Sequence, residues 1–156
     1  MPVSSHRYTQ DLNNPALVLV HGLGSAGNIW KTLVPELIQN FTVYAIDLPG
    51  HGDAALHENE EMDPRSLAQA IVDYMVSEMG IESMHVAGNS LGGWIALEMA
   101  AVAPDNVLSV TALAPAGLWH EQPKRKLPPS FLARILAKIS QHFMKTAYRI
   151  PVLKAI

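Results

Sequence analysis

The sequence predicts an α/β fold built on a doubly wound, mainly parallel sheet, and three observations carry that reading. Apolar runs of strand length alternate with segments of helical periodicity along the first 114 residues. The first such runs, Ala16–Val20 and Phe41–Leu48, are almost continuously apolar and partly β-branched, as strands buried on both faces are. A chain of 156 residues with 49% hydrophobic and 16% charged residues has room for one sizeable core and little more.

Each element can be justified in order. Residues 1–15 are irregular, with room for a strand. Ala16–Val20 is a strand, Asn28–Gln39 a short helix and Phe41–Leu48 the next strand, followed by the turn-rich loop Leu48-Pro-Gly-His-Gly-Asp53. Asp63-Pro64 opens a helix, with Asp63 as N-cap and proline at the first helical position. Leu67, Ala70, Ile71, Tyr74, Met75 and Met79 keep helical spacing up to Gly80, which suits a stop. Ser83–Ala87 is a short strand, Leu91–Ala103 a helix ended by Pro104, and Val107–Ala114 the fourth parallel strand. From Pro115 the chain becomes a Pro-rich basic connector. It leads into an amphipathic helix, Ser130–Tyr148, with Phe131, Ile135, Ile139 and Phe143 on one face.

Composition excludes several classes. Without cysteine there is neither a disulfide framework nor a thiolate metal site. No stretch reads as a secretory signal or membrane span, so a cytoplasmic protein is expected, with no membrane or nucleic-acid partner. The net charge of −3 conceals an asymmetry: residues 1–120 carry 3 Lys/Arg against 13 Asp/Glu, and residues 121–156 carry 8 against 1. The basic part is therefore expected to pack over the acidic body.

Two glycine clusters carry the chemistry. Gly22-x-Gly24-x-x-Gly27 has the spacing of a dinucleotide loop, and Asp47 stands where such a fold places its ribose-binding carboxylate. The helix that should face a pyrophosphate is badly started, however. Bulky Ile29-Trp30 follow at once, and Pro35 comes eight residues after Gly27. The second cluster, Gly88-Asn89-Ser90-Leu91-Gly92, lies between a strand and a helix, the setting of a nucleophile elbow. A serine on so sharp a turn needs very small residues two positions to either side, and Gly88 and Gly92 supply them.

With these segments the sequence resembles the α/β-hydrolase family. "HGLGSAGNIW", "DLPGHGD", "GNSLGGWIALEMAAVAP" and "VTALAPAGL" occur in the family's order and approximate spacing, covering the chain from about Pro15 to Gly117. The resemblance implies that residues 1–117 form the N-terminal part of the hydrolase core and residues 118–156 a basic connector and the start of a cap. It implies Ser90 as nucleophile and the backbone N–H groups of Leu23 and Leu91 as the oxyanion hole. Asp47 becomes a loop-shaping residue. His21 is expected to hydrogen-bond within the oxyanion loop, Ser25 and Asn28 to cap the following helix, and Trp94 to pack. His51, Asp53 and His57 read as a solvated loop, so no metal or organic cofactor is expected.

In the family the triad acid and histidine follow the serine. After Ser90 only Glu98, Asp105 and Glu121 are acidic, and His120 and His142 fall in the basic segment. The expected function is hydrolysis of a small carboxylic ester or related carbonyl substrate through an acyl-enzyme on Ser90. The site is expected to be incomplete in this chain, which reads as a truncated or split form. A complementing C-terminal chain, or self-association through the open sheet edge, would be its partner. Two alternatives stand beside it. One is a carbon–carbon bond hydrolase, because "GNSLGG" resembles the meta-cleavage-product hydrolases. The other is a non-catalytic fragment acting as an interaction module.

Overall fold

The computed structural model describes residues 1–56 and 62–117. The expected basic connector and helix over Ser130–Tyr148, and His57, lie outside the described residues. Among the described residues five strands form one sheet: β1 Ser4–Tyr8, β2 Ala16–Val20, β3 Thr42–Asp47, β4 Met84–Asn89 and β5 Val107–Leu113, in the order β1-β3-β2-β4-β5. The four strands from β2 onward pair in parallel, while β1 runs antiparallel to β3 with Ser4 opposite Asp47 and Tyr8 opposite Val43. The irregular N-terminus thus supplies a paired edge strand.

Alternation along β2 and β3 divides the core between the two faces of the sheet. Val18, Val20, Tyr44 and Ile46 face a cluster completed by Leu67 and Ile71 of α2 (Pro64–Asp73), Met75, and Ile95 and Met99 of α3 (Leu91–Val102). Leu17, Leu19, Val43 and Ala45 face the other way, against Trp30 and Val34. On that second side a groove of about 290 Å³ runs between Leu17, Trp30 and Phe41 and the exposed face of β4 and β5 at Ala87, Thr111 and Leu113.

Two helices differ from expectation, each for a local reason. The helix expected over Asn28–Gln39 is broken into a 3₁₀ helix, Gly27–Thr32, and a single α-turn, α1 Val34–Leu37. Pro35 has no N–H to give to a continuing helix, so it can sit only in the first turn of a new one. Nor do Ser25 and Asn28 cap as expected: the N-cap position is Ala26, with no side-chain bond. The helix expected to reach Gly80 does so, but its last stretch, Tyr74–Glu78, widens to i→i+5 bonding. There the Met79 N–H bonds the Tyr74 carbonyl at 3.1 Å, and Gly80 takes the left-handed stop at φ 69°. Asp63 caps α2 as expected, accepting from the N–H groups of Arg65 and Ser66 at 3.0 and 3.2 Å.

Ile46 is fully buried between the sheet and α2, whereas Leu108 on β5 is 56% exposed. Ile46→Ala is therefore expected to lower the free energy of urea unfolding by about 2–5 kcal/mol. Leu108→Ala should shift it by no more than about 0.5 kcal/mol.

Candidate active site

The site is built where β4 gives way to α3. Ser90 lies between them at φ 54° and ψ −114°, a backbone region that L-residues seldom occupy and that costs about 1–3 kcal/mol. The turn is this tight because backbone meets backbone. A Cβ on Gly88 would collide with the carbonyl of Gly92, and one on Gly92 would collide with the carbonyls of Val20 and His21. The two glycines anticipated for an elbow are thus the points at which β4, α3 and the end of β2 touch. Gly22 completes the approach: a Cβ there would stand 3.4 Å from Ser90 Cβ. The Gly22-Leu23 peptide therefore lies beside the serine. Leu91 is the first residue of α3, so its N–H has no acceptor within the helix. Gly22 and Ser90, separated by 68 positions, thus meet at one sheet end, with Leu91 following the serine and the 67% exposed Leu23 following Gly22.

Histidine and aspartate hold the flanking loops. His21 is fully buried; Nδ1 lies 2.8 Å from the Gly22 carbonyl and Nε2 accepts the Leu48 N–H at 3.2 Å. A carbonyl can only accept and an N–H only donate, so both bonds exist together only in the neutral ring carrying its proton on Nδ1. Burial lowers the pKa of His21, aided by the neighbouring His51 ring at 5.1 Å and opposed by the Gly22 bond and Asp47. His51 binds the Pro49 carbonyl through Nδ1 and accepts the Gly24 N–H, tying the β3–α2 loop to the β2 loop.

Asp47, also fully buried, works from the other side. It accepts the Gly27 N–H at 2.6 Å, the Asp53 N–H at 3.0 Å and His6 Nε2 at 3.0 Å. Burial alone would raise its pKa, but the bonds from Asp53, Gly27 and His6 together hold it below the ordinary carboxylate value. The carboxylate that could suggest a ribose ligand is therefore spent on backbone. His6, Asp47 and Asp53 bring three donor atoms within 4.8 Å of one another. Both Asp47 oxygens already accept hydrogen bonds there, which makes the cluster a stitch between β1 and two loops. His6 and its bond to Asp47 were missed in the sequence because nothing local links residues 41 positions apart.

Every described histidine is committed in this way, since His85 bonds Ser109 Oγ at 2.8 Å. Among the described residues no histidine is hydrogen-bonded to Ser90, and His120 and His142 lie outside them. Trp94 packs as expected and also donates its indole N–H to Glu98 Oε1 at 3.1 Å. Among the described residues no helix is long and apolar enough to cross a membrane.

The strain at Ser90 and the burial of Asp47 and His21 each predict a change in stability. Ser90→Gly should gain about 1 kcal/mol in urea unfolding, the relief of backbone strain exceeding the extra unfolded-state freedom of glycine. Ser90→Ala, which keeps the strain, should not. Asp47→Asn, which turns an amide toward a backbone donor, should lose about 1–3 kcal/mol. His21 and Asp47 both have folded pKa values below their unfolded ones, so the unfolded chain takes up protons first. Stability should be complete above about pH 6.5, decline below it as His21 protonates, and fall again below about pH 3.8 as Asp47 does. Melting temperatures across pH 3–8 check the order, and the lower step should vanish in Asp47→Asn.

Comparison with known proteins agrees with this architecture. A family model described as alpha/beta hydrolase fold matches residues 15–149. The chain is similar to a pimeloyl-(acyl-carrier protein) methyl ester esterase of Vibrio parahaemolyticus, at 32% identity over 143 residues, covering 91% of this chain and 53% of that protein. Among solved structures, a bacterial membrane phospholipase A superposes with a TM-score of 0.68 at 31% identity over 80% of this chain and 42% of its own. A hydrolase from Pseudomonas aeruginosa gives a TM-score of 0.75 at 19% identity, over 98% of this chain and 60% of its own, a likeness of fold alone. The chain thus spans about half the length of the esterase it resembles.

Proposed function

The chain belongs to the α/β hydrolase fold family, and on that footing we propose that it is a serine hydrolase of small carboxylic esters with Ser90 as nucleophile. The observation that carries this is the serine itself, held at φ 54° between two glycines whose missing Cβ atoms let three backbone segments meet. Such strain persists only where the surroundings enforce it, and a turn with no chemistry has no use for it. The esterase among the relatives supports the ester class of substrate.

Ser90 Oγ attacks the ester carbonyl carbon, and the N–H groups of Leu23 and Leu91 bind the carbonyl oxygen as it becomes an anion. The alkoxide departs with the serine proton, relayed by a base, leaving an acyl group on Ser90 that water then releases as the acid. Each described histidine already has another partner, His21 and His51 on backbone, His6 on Asp47 and His85 on Ser109, so the base and its orienting carboxylate are assigned outside the described residues. A second reading, an interaction module, is favoured by one feature. The seven residues of β5 are uncharged, and among the described residues no strand pairs with its outer edge.

A fluorophosphonate probe and a short p-nitrophenyl ester separate the two. Ser90 is expected to be labelled and to turn over the ester, slowly where no histidine joins it. Oxyanion donors and binding alone retain roughly 10³–10⁴-fold over water, and Ser90→Ala should abolish both signals. Labelling that survives Ser90→Ala, or a folded chain that neither reacts nor hydrolyses, would overturn the hydrolase reading in favour of the module.

A further inference from the structure

Ser90 is one of two non-glycine residues with positive φ among the described residues; the other is Ala114, at φ 43°, immediately after β5. The two are physically joined. The Ser90 N–H donates to the carbonyl of Leu113 at 2.9 Å, and the Ser90 carbonyl accepts the N–H of Ala116 at 2.9 Å. The residues on both sides of Ala114 therefore grip both sides of the serine. An ordinary extended exit from β5 would carry the chain onward in the strand direction, and the Ala116 N–H would not turn back to Ser90. The same stretch is backed by the elbow helix. Pro115 lies against Gly93, where a Cβ would come within 3.1 Å, and the ring of Trp94 packs on Gly117, which itself has φ 86°. Trp94 is fixed in turn by Glu98, whose carboxylate reaches Arg65 of α2 at 3.8 Å.

We propose that Ala114 is a positioning residue for Ser90: the β4–β5 register already pairs the Ser90 N–H with the Leu113 carbonyl, and the left-handed turn at Ala114 brings the Ala116 N–H back to the Ser90 carbonyl, holding the nucleophile in its strained conformation from its other side. The proposal rests on the reading of Ser90 as nucleophile for its meaning in catalysis, but the clamp itself is independent of activity. Ala114 is exposed, so its side chain fills no packing space and a substitution there acts through the backbone. Glycine and asparagine accept φ near +43°, whereas a β-branched residue resists it.

The test is amide hydrogen exchange at Ala116 in the whole chain, with Val86 inside β4 as internal reference. In the parent protein the Ala116 amide should be protected although it lies beyond the strand ladder. Exchange there at the rate of an open loop would overturn the clamp without any variant. Ala114→Gly and Ala114→Asn should keep Ala116 protection within about threefold, while Ala114→Val should lose it by at least tenfold with Val86 unchanged. A folded Ala114→Val that still protects Ala116 overturns the proposal. Where the parent reacts with fluorophosphonate, the Val variant should label at least tenfold more slowly and Ala114→Asn should restore the rate. A change in global melting temperature with Ala116 exchange unmoved would mark Ala114 as merely structural. A parent that protects Ala116 yet never labels would refute the hydrolase reading and leave the clamp standing.

Discussion

Backbone-to-backbone contact at the end of β4 sets the geometry of everything around it. Gly88 lies against the carbonyl of Gly92, and Gly92 lies against the carbonyl of Val20, so three chain segments approach more closely than any Cβ would permit. This contact forces a turn between strand and helix with no intervening loop. The residue at its apex then has no conformation available but the left-handed one seen at Ser90. From that single constraint follow the start of α3 at Leu91, whose N–H has no acceptor within the helix, the approach of Gly22 to the serine, and the need for partners that keep Ser90 in place.

The loops that flank the serine are held by polar side chains, two of which, His21 and Asp47, are fully buried. Neutral His21 spans from its own loop to Leu48, His51 reaches Gly24, and Asp47 gathers two backbone N–H groups and His6. His21 and Asp47 in this arrangement satisfy the N–H groups of Leu48 and Gly27, which would otherwise be buried without acceptors, a cost of about 1–3 kcal/mol apiece. The described histidines are committed elsewhere: His21 and His51 shape the loops, His6 ties β1 to Asp47, and His85 joins Ser109 between β4 and β5.

Among the described residues the two outermost strands of the sheet are unlike. β1 is a short antiparallel strand that carries His6 and Arg7, features that discourage further pairing. β5 is longer, uncharged and exposed at Leu108 and Leu113, and it borders the groove beneath Trp30 and Phe41. The end of β5 and the residues just after it bond both the N–H and the carbonyl of Ser90, so the serine is held from the β5 side of the sheet.

Local chemistry made much of this legible in the sequence. Apolar runs specified β2 to β5, Asp63-Pro64 specified the start of α2, and the paired glycines around Ser90 specified the elbow, because each signal acts over a few neighbouring residues. Pro35 could have broken the predicted helix at the same level, since a missing N–H is a local fact. The burial of Asp47 and His21, the pairing of β1 with β3, the bond from His51 to Gly24 and the grip of residues 113–116 on Ser90 depended on the tertiary structure. Each joins groups some 25 to 40 positions apart, and a side chain's hydrogen-bonding capacity, which the sequence displays, does not specify its partner until the sheet brings the loops to one end.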